Sequence, residues 1–274
     1  MNKTVVWTKA KARLQLVGEE NSAQANWVFL PGGPGLGSES LSGLIELLQL
    51  PGSVWRLDLP GDGSNVEHQF SNWSQGLIEA VQSLPNVILV AHSTGGMFAL
   101  ASPELEQHLL GLILMNSAPS AGWQNVFMQY AQDHPLADNG AEEIQQSYET
   151  NPSNELLREL TLIGAPYIST PKSLNDIRQM LRSLPFNHQS HRWAERNFDS
   201  TYQAQWVPQQ LPTLIFSGSH DPITPLKLFT ETEQFQRDNI RMREIENASH
   251  FPWFDNPEQI QQVFAEYCQW LQEP

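Results

Sequence analysis

The stretch from Val87 to Met97 constrains the fold more than any other part of the chain. Its first five residues, VILVA, are apolar and rich in β-branched side chains, which predicts a buried strand. A tight turn follows, and a helix is predicted to open at Gly95. Ser93 stands at the apex between strand and helix. A hydroxyl at the apex of a strand, sharp turn and helix is typical of a nucleophile elbow.

The neighbours of Ser93 are small, as such a turn requires. A nucleophile on a strained backbone is tolerated only where the residues around it have little or no side chain. Gly95 lies two residues after Ser93, and Ala91 lies two before it, where the usual pattern has glycine. The motif alone also fits a plain strand that ends in a glycine-rich turn. We therefore take Ser93 as a candidate nucleophile that the rest of the chain must support.

Length and charge narrow the class of protein. A chain of 274 residues suits one large α/β domain, or a domain with an insertion. Thirty acidic residues against fifteen basic ones give a net charge of −15, which disfavours nucleic acid and anionic membranes as partners. A small-molecule substrate is the expected partner, and the oligomeric state is left open. Without a signal peptide or a membrane-spanning run, a cytoplasmic location is predicted.

Cysteine and histidine usage predicts a protein without metal or cofactor. Cys268 is the only cysteine, so an intrachain disulfide and a thiolate metal cluster are both excluded. Its position in a terminal amphipathic helix favours a packed thiol over a catalytic one. The histidines of the middle segment, His134, His188 and His191, lack a ligand spacing backed by carboxylates.

The order of predicted elements indicates an α/β fold. Strands alternate with helices before and after a middle segment, which predicts a mostly parallel sheet of about eight strands flanked by helices. Residues 118–206 show only helical stretches separated by prolines and polar turns. We call this insertion after the sixth strand the cap segment, and we assign residues 1–117 and 207–274 to the core domain. Beyond the cap segment, one helix is predicted over 226–236.

Three polar residues fall just past the carboxyl ends of predicted strands. Ser93 follows the strand that ends at Ala91, Asp221 lies four residues past Ser217, and His250 lies five past Ile245. In parallel sheets, sites lie outside these ends. A serine hydroxyl needs an imidazole to take its proton, and a carboxylate must hold that imidazole in the right tautomer. The sequence therefore predicts Ser93, His250 and Asp221 as a catalytic triad.

With these motifs in place, the sequence resembles the α/β-hydrolases, in the branch that carries a helical cap between the sixth and seventh strands. The resemblance extends from about Val28 to Trp270 and rests on five motifs in order. These are PGGPG at 31–35, DLPGDGS at 58–64, HSTGG at 92–96, GSHDPITP at 218–225 and ASHFPWFDNPE at 248–258. The chain order Ser, Asp, His is the order of that fold.

The glycine-rich motif most resembles that of the prolyl aminopeptidases. Their motif begins with histidine, whereas Pro31 stands there in this chain. The resemblance implies an oxyanion hole made by the backbone N–H groups of Gly33 and Thr94, the residue after the nucleophile.

Residues beside the predicted triad offer competing roles. His92 adjoins Ser93 and is interpreted as structural, because neighbours on a turn point apart. His220 adjoins Asp221 and is the alternative base. Some family members carry the acid after the sixth strand, but Asn116 and its neighbours offer no carboxylate there, which strengthens Asp221. Asp58 and Asp62 lie in a turn where aspartate commonly bonds its own backbone.

The leading interpretation is a serine hydrolase that cleaves an ester or amide bond of a small substrate through an acyl-enzyme. A prolyl aminopeptidase-like peptidase would use a cap carboxylate, such as Glu155 or Glu159, to meet the substrate ammonium. The same fold also accommodates a non-hydrolytic enzyme (a lyase or cofactor-free oxygenase) and a non-catalytic binding protein. The substrate pocket is expected beneath the cap segment, with most cap aromatic residues packing onto the core.

Overall fold

An eight-stranded sheet organises the chain, in the order β1-β2-β4-β3-β5-β6-β7-β8. The structure is a computed structural model that describes residues 4–19, 21, 24–66, 68–137 and 140–273. Pairing is antiparallel between β1 and β2 and between β2 and β4, and parallel in the other pairs, which confirms the predicted mostly parallel sheet. The strands are β1 (Val5–Trp7), β2 (Arg13–Val17), β3 (Asn26–Leu30), β4 (Ser53–Asp58), β5 (Val87–His92), β6 (Leu109–Met115), β7 (Thr213–Gly218) and β8 (Ile240–Ile245).

The central strands are buried along their whole length because helices cover both faces of the sheet. Every residue of β3, β5 and β7 is buried. Strand β5 pairs with β3 on one side and β6 on the other, with Ala91 opposite Leu30 and His92 opposite Met115. The residue that follows β5 is therefore held at the middle of the sheet.

Helices from the core domain pack on both faces. Leu77 and Phe98 belong to the apolar cluster on one face, and Leu44 and Phe264 to the cluster on the other. The helices are α1 (Ser42–Leu47), α2 (Trp73–Gln82), α3 (Thr94–Leu100), α4 (Trp123–Asp133), α5 (Ala141–Thr150), α6 (Asn154–Ile163), α7 (Leu174–Ser183), α8 (His188–Ala194), α9 (Lys227–Thr230), α10 (Pro252–Asp255) and α11 (Pro257–Trp270). No helix in the described ranges has the length and apolar character needed to cross a membrane.

The cap segment is helical, as predicted. Helices α4 to α8 and a π-helical turn at Glu195–Asp199 all lie between β6 and β7. Within the described residues the segment's strand pairing is one isolated bridge between Ser120 and Gln203. The predicted limits of the segment, 118 and 206, stay a prediction.

Aromatic side chains attach the cap segment to the core. The Trp193 ring lies 5.5 Å from that of Phe70, and the Phe198 ring lies 4.6 Å from that of Phe98. The Trp206 indole N–H donates to the carbonyl of Ala99 at 2.8 Å. The cap aromatic residues that join the two core clusters are Trp123, Tyr148, Phe186, Trp193, Phe198, Tyr202 and Trp206.

The single helix predicted over 226–236 is wrong. Helix α9 ends at Thr230, and a short 3-10 turn follows at Glu233–Phe235. Phe229 and Phe235 are both buried, with their rings 4.9 Å apart. Six residues advance a continuous α-helix by about 600°, which would leave these two side chains on different faces. Breaking the helix lets both phenylalanines enter the same core.

Candidate active site

Ser93 occupies a strained position at the end of β5. Its backbone has φ 51° and ψ −125°, a left-handed φ that side chains rarely adopt. Such a residue costs about 1–3 kcal/mol and persists only where its surroundings hold it. The Ser93 N–H donates to the carbonyl of Met115 at 2.9 Å, and the Ser117 hydroxyl donates to the Ser93 carbonyl at 2.8 Å. These two hydrogen bonds hold the Ser93 backbone on both sides of the residue.

Small residues make this turn possible. A Cβ at Gly32 would clash with the Cβ of Ser93 and the carbonyl oxygen of His92, and a Cβ at Gly95 would clash with the carbonyl oxygen of Pro31. Ala91 is fully buried and stays in register with Leu30. Ala91, which stands where the usual motif has glycine, is therefore accommodated inside strand β5, one residue before its end at His92.

The structure brings Ser93, His250 and Asp221 into one hydrogen-bonded chain. The Ser93 Oγ lies 3.0 Å from His250 Nε2, and His250 Nδ1 lies 2.9 Å from Asp221 Oδ2. Because Nδ1 faces a carboxylate, which only accepts, this nitrogen carries the proton. In a neutral imidazole Nε2 is then an acceptor, and the Ser93 hydroxyl can donate to it.

Asp221 is buried and surrounded by donors. Burial alone would raise its pKa, but the charge of His250 and hydrogen bonds from His250, Asn116 and Ile223 lower that pKa to about 2. Asn116 donates at 2.8 Å to the same carboxylate oxygen that faces His250. The Thr224 hydroxyl adds a third contact to this oxygen at 2.8 Å. Asp221 is therefore an ionised acid at neutral pH, and its orientation is set by its neighbours.

His92 lies against the imidazole of His250. Its Nε2 is 2.9 Å from the carbonyl oxygen of His250, so that nitrogen carries a proton and donates. The two rings are 4.9 Å apart, and Trp253 closes the far side of His92 at 5.3 Å. Burial and the nearby charge of His250 lower the pKa of His92 to about 3. His92 is thus a neutral side chain that holds the His250 backbone, which supports a structural role.

The two predicted oxyanion donors belong to the turn after β3 and to the first residue of α3. Thr94 is the first residue of α3, where backbone N–H groups have no partner inside the helix. Gly33, at φ 55°, opens a turn closed by the Leu36 N–H on the Gly33 carbonyl at 2.9 Å. Among the described residues, neither the Gly33 N–H nor the Thr94 N–H donates a hydrogen bond to a protein acceptor. Both groups therefore keep an unused donor, and their role in an oxyanion hole stays a prediction.

The residues beside the predicted triad that could have had competing roles make other contacts. His220 is exposed, and its backbone N–H donates to the carbonyl of Ala248. Asp58 does not bond its own backbone: it accepts from the Ser38 N–H at 2.8 Å and pairs with Arg13 at 2.8 Å. Across the described ranges, no group of three or more histidine, cysteine, aspartate or glutamate side chains could hold a metal ion.

A cavity of about 740 Å³ lies between α4 and the loop after β7. Tyr130 and Tyr167 line it from the cap segment, and His220 and Asp221 line it from the core. Ser93 and His250 do not line this cavity. It therefore borders the triad at the acid, and the substrate pocket expected over Ser93 stays a prediction.

Sequence reasoning missed residues that orient the triad through hydrogen bonds. From the sequence, Asn116 is considered only because no carboxylate follows the sixth strand there, and no role is assigned to Thr224. Asp255 accepts from the Ser249 N–H at 2.9 Å, next to His250, and from the Thr170 hydroxyl of the cap segment at 2.5 Å. Thr224 and Asp255 lie inside the motifs quoted above, and Asn116 directly follows β6 at the carboxyl edge of the sheet. These positions are the signal that could have found them.

Comparison with known proteins identifies the family and the fold of the chain. A family model described as "Alpha/beta hydrolase family" matches residues 27–263. The fold is shared with an esterase from Thermogutta terrifontis in its malate-bound form, at 18% identity and a TM-score of 0.68, with 100% of each chain covered. A proline iminopeptidase-related protein from Thermus thermophilus is also similar, at 18% identity and a TM-score of 0.74, with 99% of each chain covered.

A third solved structure, the proline iminopeptidase of Mycobacterium smegmatis, has 15% identity and a TM-score of 0.65, with 98% of each chain covered. At such identities the likeness shows the fold alone. The sequence matches no protein of curated function. The family model, however, spans the sheet from β3 to β8, the Ser93 turn and the loops of Asp221 and His250, and it shows that the chain belongs to the alpha/beta hydrolase family.

Proposed function

We propose that the protein is a serine hydrolase that cleaves an ester of a small molecule through an acyl-enzyme. One observation carries the proposal, namely the unbroken chain from Ser93 Oγ to His250 Nε2 at 3.0 Å and from His250 Nδ1 to Asp221 Oδ2 at 2.9 Å. This arrangement is what a hydroxyl needs to lose its proton as it attacks.

The chemistry proceeds in two halves. Ser93 Oγ bonds to the carbonyl carbon of the ester while its proton passes to His250 Nε2, and the carbonyl electron pair moves to oxygen. The Gly33 and Thr94 N–H groups stabilise that oxyanion. Collapse expels the alcohol, which takes the proton from His250, and leaves an acyl-Ser93. Water, deprotonated by His250, then repeats the steps and releases the acid.

Ester cleavage is favoured over release of an N-terminal residue. A peptidase of the alternative kind needs a carboxylate near Ser93 to pair with the substrate ammonium. The two candidates for this role, Glu155 and Glu159, are both exposed on α6. Pro31 also replaces the histidine that begins the corresponding peptidase motif.

A substrate panel tests the proposal. p-Nitrophenyl esters of increasing acyl length are assayed beside proline β-naphthylamide, with Ser93→Ala as the matched control. We expect turnover of at least one ester and none of the amide. Ser93→Ala should lose about 10⁴- to 10⁶-fold in kcat. Turnover of the amide alone would favour the peptidase, and an active Ser93→Ala variant would exclude Ser93 as nucleophile.

A further inference from the structure

Asp62, in the loop after β4, is a buried carboxylate that takes no part in the steps above. The residue is 3% exposed. Its Oδ1 accepts from the Gly35 N–H at 2.5 Å, from the Gly63 N–H at 2.8 Å and from the Ser190 hydroxyl of α8 at 3.5 Å. One oxygen atom therefore joins the glycine-rich loop, its own loop and the cap segment.

Gly35 is held from both sides. Asp62 binds its N–H, and its carbonyl accepts from the Asn187 N–H at 2.8 Å. The Asn187 side chain caps α8 through the Gln189 N–H and donates to the carbonyl of Gly61 at 2.8 Å. Gly35 has φ 106°, and a Cβ there would clash with the Asn187 carbonyl. These contacts consequently fix the orientation of each of the two peptide units around Gly35.

This orientation extends to the candidate oxyanion donor. Gly33 is two residues earlier in the chain, and the Leu36 N–H closes the turn on the Gly33 carbonyl at 2.9 Å. On the other side, Gly32 packs directly against the backbone around Ser93. The direction of the Gly33 N–H is thus set between Ser93 at one end of the turn and the Gly35 contacts at the other.

Resting on the function proposed above, we infer that Asp62 is a positioning residue for the oxyanion hole. By holding the Gly35 N–H, its carboxyl oxygen orients the turn that presents the Gly33 N–H beside Ser93. The Ser190 hydroxyl of α8 donates to the same oxygen. The position of the cap segment and the shape of the oxyanion hole therefore both depend on this one atom.

The acceptor atom, more than the charge, performs this role. Burial raises the pKa of Asp62 to about 7, with the nearby Asp58 adding to the rise, while the hydrogen bonds from Gly35, Gly63 and Ser190 oppose it. A neutral amide offers the same carbonyl acceptor to Gly35 without a buried charge. Asp62→Asn should therefore preserve positioning, whereas Asp62→Ala and Asp62→Ser should lose it, since neither side chain can reach Gly35.

The test measures kcat and KM on the best ester of the panel, together with the inhibition constant of a trifluoromethyl ketone of matching acyl chain. Addition of Ser93 to that ketone gives a tetrahedral alkoxide, which needs the oxyanion hole. Asp62→Ala and Asp62→Ser should lower kcat and weaken inhibition by a similar factor, about 10- to 100-fold. KM should hardly change, and Asp62→Asn should restore both values.

Asn65→Ala is the matched control. Asn65 is buried in the same loop and donates to the carbonyls of Lys11 and Leu59, without touching Gly35. This variant should lose stability but keep kcat and the inhibition constant. Unchanged kcat and inhibition in Asp62→Ser or Asp62→Ala would overturn the inference, as would an equal loss in Asn65→Ala or no rescue by Asp62→Asn. If the wild type is not inhibited by the ketone, or Ser93→Ala still hydrolyses the ester, the proposed function itself fails and the inference falls with it.

Discussion

The loops that carry Ser93, Asp221 and His250 are built differently from helix α4 of the cap segment, although Asp221 and α4 border the same cavity. Strand β5 is buried throughout, and hydrogen bonds from residues after β6, β7 and β8 converge on the triad. Helix α4 has no fully buried residue, and Met128 on it is 52% exposed. Side chains held by many partners tolerate little change, whereas an exposed helix tolerates much. We therefore expect substitutions in the core loops to abolish the chemistry and substitutions in α4 to modulate it.

The largest effect should come from the acid of the triad. Asp221→Asn places an amide against His250 Nδ1 and favours the wrong imidazole tautomer, which should lower kcat by about 10⁴-fold. Asn116→Ala removes one donor from the charged Asp221 carboxylate and should cost only about 10- to 100-fold, since a hydrogen bond to a charged group contributes about 1.5–3 kcal/mol. Steady-state kinetics on one ester measures both. Equal losses in the two variants would show that the network around Asp221 does not act through the His250 contact.

An intermediate effect, on the free energy of unfolding, is expected at Asp62, which links the core to the cap segment. This effect depends on pH. The pKa of Asp62 is raised from 3.8 to about 7. The folded protein therefore binds an extra proton between these values, and its stability falls as pH rises through this window. Asp62→Asn removes that loss, which amounts to at most about 4 kcal/mol at 1.36 kcal/mol per pKa unit.

Urea unfolding of the wild type and Asp62→Asn at pH 5 and pH 8 measures this difference. The stability of the variant relative to the wild type should increase from pH 5 to pH 8. A difference that stays constant, or that decreases with pH, would mean that Asp62 is not buried as a costly charge.

The smallest effect is predicted for the cavity wall on α4. Tyr130 is 37% exposed, and the cavity it lines reaches the triad only at Asp221. Tyr130→Ala should change kcat on a short ester by about twofold or less. Profiles over the ester panel would reveal any change in KM with acyl length. A loss of kcat comparable to that of Asn116→Ala would contradict the expectation that α4 tolerates substitutions better than the core loops.

Sequence alone could predict the parts whose chemistry leaves few choices. The apolar run from Val87 to Ala91 predicts a buried strand, and β5 covers it. The positions of Ser93, Asp221 and His250 after their strands predict that they meet, and the structure places them in one hydrogen-bonded chain. By contrast, the contact between Asp62 and Gly35 joins two loops far apart in the chain, and no local pattern encodes it.

Burial of paired side chains set a second limit to prediction. One helix was predicted over 226–236, yet Phe229 and Phe235 pack against each other and the helix ends at Thr230. The cap helices were predicted from local periodicity, but which of their aromatic residues meet the core depends on tertiary contacts such as that of Phe198 with Phe98.

The most direct measurement is covalent labelling of the wild type with a fluorophosphonate, followed by mapping of the modified peptide by mass spectrometry. Activation of Ser93 by His250 predicts a single adduct on Ser93, lost in Ser93→Ala and strongly slowed in His250→Ala. An adduct on another residue of the wild type, or equal labelling of Ser93→Ala, would contradict the assignment of Ser93 as the nucleophile.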